Sequence, residues 1–195
     1  NADFPWRTAQ QIEVAGIPTL ALRINYVGEL GWELHPAMAD LPALYDAVWA
    51  AGEGHGIADF GLYAMNSLRM EKGYRGWGAE LTNEVTMLEA DMARFYANAK
   101  DDFVGKAATE TNEAGPLRLV YFEVEAEDAD VRGGEPIFLG DECVGVTTSG
   151  GYGYAVEKSL GFGYVPPEQA EPGSVIDIGL LDARCRATVL AEPIY

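Results

Sequence analysis

Positive charge is scarce in this chain. Lys and Arg total 13 of 195 residues against 31 Asp and Glu, a formal net charge of −18. A field of that sign repels phosphate backbones and anionic membranes, so neither nucleic acid nor a membrane surface is expected as a partner. Cysteine and histidine are rarer still, with two Cys and two His. Cys143 and Cys185 make neither a disulfide framework nor a metal site, and His35 and His55 are too few for a His-rich zinc centre, so no metal is expected. Both cysteines fall in strand-like runs and read as core thiols. The default compartment keeps them reduced: the cytoplasm, or the mitochondrial matrix in a eukaryote. No apolar run approaches the ~18 residues of a membrane-spanning helix, and no charged-then-apolar signal opens the chain. Neither His has the neighbours of a Ser/His/Asp or Cys/His relay.

What is present is a globular composition, 48% hydrophobic and 11% aromatic. A chain of this length hides roughly 70% of its unfolded surface. Residues 19–34 read TLALRINYVGELGWEL. Leu20, Leu22, Ile24 and Tyr26 alternate with Ala21, Arg23, Asn25 and Val27, which predicts a strand. Gly28 and Gly31 mark a turn, and Trp32 begins a returning strand, so a hairpin is expected. Leu41, Leu44, Tyr45 and Val48 carry helical spacing over 39–51, with Asp40 as cap, Pro42 in the first turn and Gly52, Gly54 and Gly56 at the end. A second helix is expected over 59–73, closed by Gly73, and a third over 86–95. Beyond residue 113 helical spacing stops. Six short strands are expected at 117–124, 136–139, 142–149, 159–165, 175–178 and 185–190. Their expected turns are Gly133-Gly134, Gly140-Asp141, Gly150-Gly151 and Pro172-Gly173, a pattern that suits a small barrel or sandwich. The fold class is therefore α+β, with a domain boundary in the linker 112–116.

The densest chemical feature is Tyr26-Val27-Gly28-Glu29-Leu30-Gly31-Trp32-Glu33-Leu34. A Glu33 carboxylate facing a ligand held by Tyr26 can accept two parallel N–H bonds from an amino-pyrimidinone edge. The bland alternative is that Glu29 and Glu33 are solvated turn residues. Arg69 and Glu71 are two apart on the second helix and do not face each other. Arg69 in so apolar a helix is expected in a structural ion pair. The glycine-rich stretches 73–78 and 150–153 lack the strand–loop–helix setting of a phosphate loop and read as turns. Glu84, Glu89 and Asp91 read as a solvated helix face.

Five ordered motifs then carry a family resemblance. They are the Tyr26–Glu33 run just quoted, Asn66-Ser67-Leu68-Arg69-Met70-Glu71-Lys72-Gly73-Tyr74-Arg75, Phe103-Val104-Gly105-Lys106, Val144-Gly145-Val146-Thr147-Thr148-Ser149-Gly150, and Gly163-Tyr164-Val165-Pro166. Over nearly its whole length the chain resembles the glycine cleavage T-protein (aminomethyltransferase) family, most nearly the folate-binding C-terminal region of dimethylglycine and sarcosine dehydrogenases. The resemblance implies part of a folate-binding domain over 1–113, a β-hairpin plus helices, followed by a small C-terminal antiparallel β-barrel over 114–195. It implies tetrahydrofolate as cofactor, one-carbon transfer as activity, and a small N-methyl amine as substrate. It assigns Tyr26 to folate contact and Glu33 to the pteridine ring, with Glu29 and Gly28 shaping the hairpin. Arg69 or Arg118 is a candidate for the glutamate tail of the folate.

Two departures qualify the resemblance. Met65-Asn66 stand where aminomethyltransferases carry Arg-Asp, which resembles the dehydrogenase or demethylase branch. The family's catalytic Asp lies upstream of the equivalent of Asn1, so the chain reads as an excised fragment, inert alone, with a possible tag scar in its first two residues. An FAD domain is expected only in the N-terminal part of a parent flavoenzyme. A stand-alone aminomethyltransferase or demethylase, and a non-catalytic binding or assembly module on the same scaffold, are the alternatives.

Overall fold

Ala15 and Gly16 both hold positive φ, 52° and 80°, the backbone of a two-residue type I′ hairpin. They join β1 (Ala9–Val14) to β2 (Ile17–Leu22), and β3 (Glu33–Pro36) pairs along the other edge of β2 in an antiparallel sheet ordered β1-β2-β3. The computed structural model describes residues 2–97, 99–111 and 115–195. The chain divides into two compact units, Asn1–Met65 and Asn66–Tyr195. Residues 112–114 of the expected boundary lie outside the described residues.

In the first unit the hairpin differs from the expected one. β2 stops at Leu22 and β3 starts at Glu33, so a long connection replaces a tight turn. The buried face carries Thr19, Ala21 and Arg23 rather than Leu20 and Leu22. Thr19 pairs with Ile12 and Pro36, and Ala21 with Gln10 and Leu34, and the covered face takes the small side chains. β1, with the sequence AQQIEV, was unanticipated because its exposed face is polar. Helix α1 (Leu41–Gly52) forms as expected, with Asp40 at the cap position and Pro42 in the first turn, although the Asp40 side chain makes no capping bond. Its end is fixed by packing: a Cβ on Gly52 would stand 2.7 Å from Ile57 Cβ.

Helix α2 (Leu62–Glu71) is shorter than expected. Gly73 closes it at φ 61°, with its N–H on Met70 O at 2.9 Å and Tyr74 N–H on Arg69 O at 2.9 Å. The expected third helix is absent. Residues 86–92 make a single turn that Asp91, at φ 52°, breaks. Glu89, far from being solvated, is buried and accepts from Thr86 N at 2.8 Å and Thr86 Oγ1 at 2.9 Å. A short helix α3 (Lys106–Thr111) follows.

The rest of the second unit is a closed antiparallel barrel ordered β4-β7-β6-β5-β8-β9. Its strands are β4 (Arg118–Val124), β5 (Pro136–Leu139), β6 (Glu142–Gly153), β7 (Lys158–Val165), β8 (Val175–Leu180) and β9 (Ala183–Val189). The six-stranded expectation holds and the barrel, not a sandwich, is the outcome. Alternation along β4 sends Val120, Phe122 and Val124 into the barrel with Ile137, Val165, Ile176 and Ile178. Leu119 and Tyr121 point outward to a second core with Met70, Leu160, Phe162 and Tyr164. β7 gives the interior room for Phe122: a Cβ on Gly161 would lie 2.6 Å from Phe122 Cε2. Gly150-Gly151 is not a turn but the middle of β6, paired with Gly161 and Leu160. The glycine there is a packing requirement, since a Cβ on Gly150 would meet Val131 Cβ at 2.5 Å and Leu160 O at 2.8 Å. Cys143 is exposed rather than a core thiol, whereas Cys185 is half-buried against the barrel core. Among the described residues no helix is long and apolar enough to cross a membrane.

Candidate functional site

In the first unit the candidate residues belong to the β2–β3 connection. Asn25 organises it: Oδ1 accepts from Gly28 N at 2.6 Å and Val27 N at 3.1 Å, and Nδ2 donates to Glu29 O. This is an Asx-type turn, and Gly28 answers it at φ 77°. Tyr26, inside that turn, is half-buried. Trp32 stacks on Phe4 with ring centroids 6.1 Å apart, and the Arg23 guanidinium lies 5.7 Å from the Trp32 ring centroid. Arg23 also donates to Phe4 O at 2.5 Å, which ties the connection to the start of the chain.

Glu33 is the first residue of β3, opposite Leu22. Its carboxylate contacts His35 Nε2 at 3.3 Å, and the two side chains are 48% and 54% exposed. The pair is i, i+2 on one strand and so shares a face. Glu33 is therefore an accessible acceptor on an ordered strand, held by one exposed imidazole rather than consumed in the core. Tyr26 lies in the β2–β3 connection and Glu33 at the first residue of β3 that follows it. His35 had no role in the sequence reading; its signal was its two-residue separation from Glu33.

In the second unit the sequence reading of Arg69 is upheld as structural. Arg69 Nη1 meets Glu80 Oε2 at 3.2 Å with both side chains buried, and its Nε and Nη2 donate to Asn66 Oδ1 at 3.0 and 2.8 Å. So enclosed a guanidinium serves no glutamate tail, which corrects that expectation. Glu80 also accepts from Gly76 N at 2.6 Å and from the hydroxyls of Thr148 and Ser149. Asn66 Nδ2 donates to Gly150 O at 2.9 Å, so the Asn that departs from the family pattern joins α2 to β6.

Arg118, the other cation named for a tail, lines a cavity of about 520 Å³ together with Lys72, Arg75 and Arg94. Sequence reasoning missed Arg75 and Arg94 here, and no local signal marks them: four of the 13 cations converge only through the fold. Arg75 donates to Ala90 O at 3.1 Å and pairs with Asp91. Burial pushes its pKa down, and the Asp91 carboxylate opposes that. Tyr164, whose hydroxyl donates to Glu80 O at 2.8 Å, has its pKa pushed up to about 12 by burial and by the Glu80 and Glu89 charges. Among the described residues no group of three or more His, Cys, Asp or Glu could hold a metal ion.

Residues 1–100 match the GCVT N-terminal domain, and residues 118–195 match the glycine cleavage T-protein C-terminal barrel domain. The chain is 42% identical over 194 residues to the mitochondrial dimethylglycine dehydrogenase of Homo sapiens, covering 98% of this chain and 22% of that protein. It is 32% identical over 195 residues to an aminomethyltransferase of Corynebacterium aurimucosum, covering 99% of this chain and 53% of that protein. It thus spans about a fifth of the first relative and half of the second. The crystal structure of glycine cleavage system aminomethyltransferase T from Bartonella henselae superimposes with a TM-score of 0.87 at 22% identity, over 100% of this chain and 54% of that one. With the hairpin-and-helix unit and the closed barrel both matched, the chain belongs to the glycine cleavage T-protein (aminomethyltransferase) family.

Proposed function

We propose that this chain is the folate-binding part of a one-carbon transfer enzyme whose parent oxidises an N-methyl amine such as dimethylglycine or sarcosine. The single observation that carries the reading is Glu33: an exposed carboxylate at the head of β3, in contact with the exposed His35 imidazole. A carboxylate so placed accepts two parallel N–H bonds from a flat aminopyrimidinone, with a geometry water does not enforce. Tyr26, half-buried in the Asn25 turn, supplies an aromatic face with a hydroxyl handle beside it.

These residues suit tetrahydrofolate: a donor-rich ring edge meets an acceptor-only carboxylate, and a planar ring meets an aromatic one. When bound, tetrahydrofolate supplies a nitrogen nucleophile that accepts a one-carbon unit. The chain's own residues bind and orient; Glu33 fixes the ring and Tyr26 limits its tilt, so rate arises from holding two reactants together. On this reading a flavin and a general base come from other parts of the parent, and the two family domains meet between residues 100 and 118. The mitochondrial name of the dehydrogenase relative supports a matrix location in a eukaryotic parent.

The test is product partition in the intact protein supplied with N-methyl amine and tetrahydrofolate. The wild-type protein delivers the carbon to folate, and Glu33→Ala releases it as free formaldehyde at an unchanged rate of amine oxidation. Equal delivery to folate by both proteins overturns the assignment of Glu33.

A further inference from the structure

The Glu33 carboxylate touches a group whose charge changes near neutral pH: His35 Nε2 lies 3.3 Å from Glu33 Oε2. Alternation puts both side chains on one face of β3. Among the described residues β3 pairs with β2 alone, where Leu22 stands opposite Glu33 and Leu20 opposite His35. One strand further, β1 places Ala9 opposite Leu22 and Gln11 opposite Leu20. On the sheet, the nearest cross-strand neighbours of both side chains are therefore aliphatic. The other charged groups of this region are Glu13, on the same face of β1 but opposite Pro18, Arg23 and Glu29 in the β2–β3 connection, and Asp40 beyond the end of β3. Arg23 is buried and donates to Phe4 O.

A carboxylate only accepts, so the Nε2 that faces it carries a proton. A neutral imidazole gives Oε2 one ordinary hydrogen bond. That bond fixes the rotation of the carboxylate and leaves lone pairs on both oxygens, since a carboxylate accepts at about four sites. The two parallel N–H bonds of an aminopyrimidinone edge need both oxygens available in a fixed plane. An imidazolium acts otherwise. Its bond to Oε2 is charge-assisted, roughly twice as strong as a neutral one. Its positive charge also offsets the negative charge that the ligand's N–H groups seek. Imidazole passes from one state to the other between roughly pH 5 and 8. Exposure keeps the ring open to protons from solvent.

We infer that His35 is a positioning residue for Glu33: neutral, it sets the plane of the carboxylate for the ring edge of the folate, and protonated, it competes with that edge, so that acidification releases the ligand. The inference rests on the folate reading of Glu33 and adds the regulation of that site by pH. Because the ligand favours the neutral ring, its apparent affinity follows the neutral fraction and falls as pH drops. A long-range effect runs the other way. The chain carries a net charge of −18 and the folate tail is anionic, so every proton gained lessens their repulsion. Salt screens that effect, whereas a contact at 3.3 Å lies well inside the ~8 Å screening length at physiological ionic strength.

The experiment is calorimetry of 5-formyltetrahydrofolate monoglutamate into the intact protein at ~0.15 M salt. It is run at about pH 7.5 and about pH 5.5, with melting temperatures recorded at both. Wild type is expected to bind at least ~5-fold more weakly at the lower pH. His35→Ala is expected to bind ~3-fold more weakly than wild type at the higher pH and to change less than ~2-fold between the two. His35→Gln puts a non-titrating amide N–H in place of the imidazole donor. It is expected to recover the affinity lost in His35→Ala and to keep the flat profile. A wild-type affinity that stays constant or rises on acidification overturns the inference, as does a decline of equal size in His35→Gln. His35→Ala indistinguishable from wild type at both pH values also overturns it and leaves the pair a solvated surface contact. So does a loss equal at both pH values that follows a lowered melting temperature, which is a structural role. Failure of the folate reading shows differently: no binding of the monoglutamate at either pH, or Glu33→Ala binding as wild type does.

Discussion

Arg69 and Glu80 meet at 3.2 Å with side-chain exposures of 5% and 0%. The pair is the hub of the second unit, because Glu80 also accepts from Gly76 N and the Thr148 and Ser149 hydroxyls while Arg69 Nη1 donates to Tyr74 O at 2.9 Å. It thereby joins α2, the 74–80 loop and β6.

Removing one partner leaves a buried charge without its counter-ion. Glu80→Ala is therefore expected to destabilise the protein by about 3–5 kcal/mol. Calorimetric melting should show a fall in Tm of ~10 °C or more. Arg69→Met/Glu80→Leu removes both charges and is expected to recover part of the loss; a double variant worse than either single contradicts the assignment.

Gly150→Ala places a methyl 2.5 Å from Val131 Cβ and 2.6 Å from Val131 O. The barrel must shift, at a cost of about 1–3 kcal/mol. Gly54→Ala, where nothing lies within 4 Å, is the control and should stay within about 0.5 kcal/mol. Urea titration of both variants separates a packing glycine from a turn glycine.

Glu135 bonds to Arg132 N and Gly133 N, both at 2.9 Å, and to Thr147 Oγ1. Burial raises its pKa, but these bonds together outweigh burial and hold it below the ordinary carboxylate value. A depressed folded pKa contributes stability above the unfolded pKa that is lost as pH falls through the folded one. Wild type should thus exceed Glu135→Gln in Tm at neutral pH, with the gap closing on acidification below the carboxylate range. A gap independent of pH contradicts the clamp.

Tyr164 runs the opposite way. Its pKa is pushed up to about 12, so the neutral phenol belongs to the fold. The stability it contributes is present below the unfolded value near ~10 and is lost as pH climbs from there toward the folded value. Tyr164→Phe should lose about 1 kcal/mol at neutral pH, the worth of its bond to Glu80 O, and show a shallower decline in alkali. An equal alkaline decline in both proteins contradicts it.

The barrel was legible because its strands are short, alternating and separated by Gly and Pro turns; Pro136–Leu139 was expected to the residue. The alternation over residues 19–22 located β2 but did not tell its faces apart: Thr19 and Ala21 are the buried side chains, and Leu20 and Leu22 are half-buried. Residues 86–95 carried helical spacing, yet Glu89 turned inward to bind Thr86 and Asp91 took a left-handed backbone. Gly150-Gly151 resembled a turn because composition does not distinguish a glycine needed for φ from one needed for space. Tyr26 and Glu33 enter the proposal from a compact motif that the sequence carries in one run. The Arg75, Arg94 and Arg118 cluster was not legible, since tertiary closure alone gathers cations 19 and 24 positions apart along the chain.

The central claim is that Glu33 reads the ring of a folate. Titration calorimetry of 5-formyltetrahydrofolate monoglutamate into the intact protein and its Glu33→Ala variant tests it most directly. The account predicts an affinity weakened by about 2–3 kcal/mol, the worth of charge-assisted hydrogen bonds, which is a loss of roughly 30- to 150-fold, with an unchanged melting temperature. An unchanged affinity in a folded Glu33→Ala protein contradicts it.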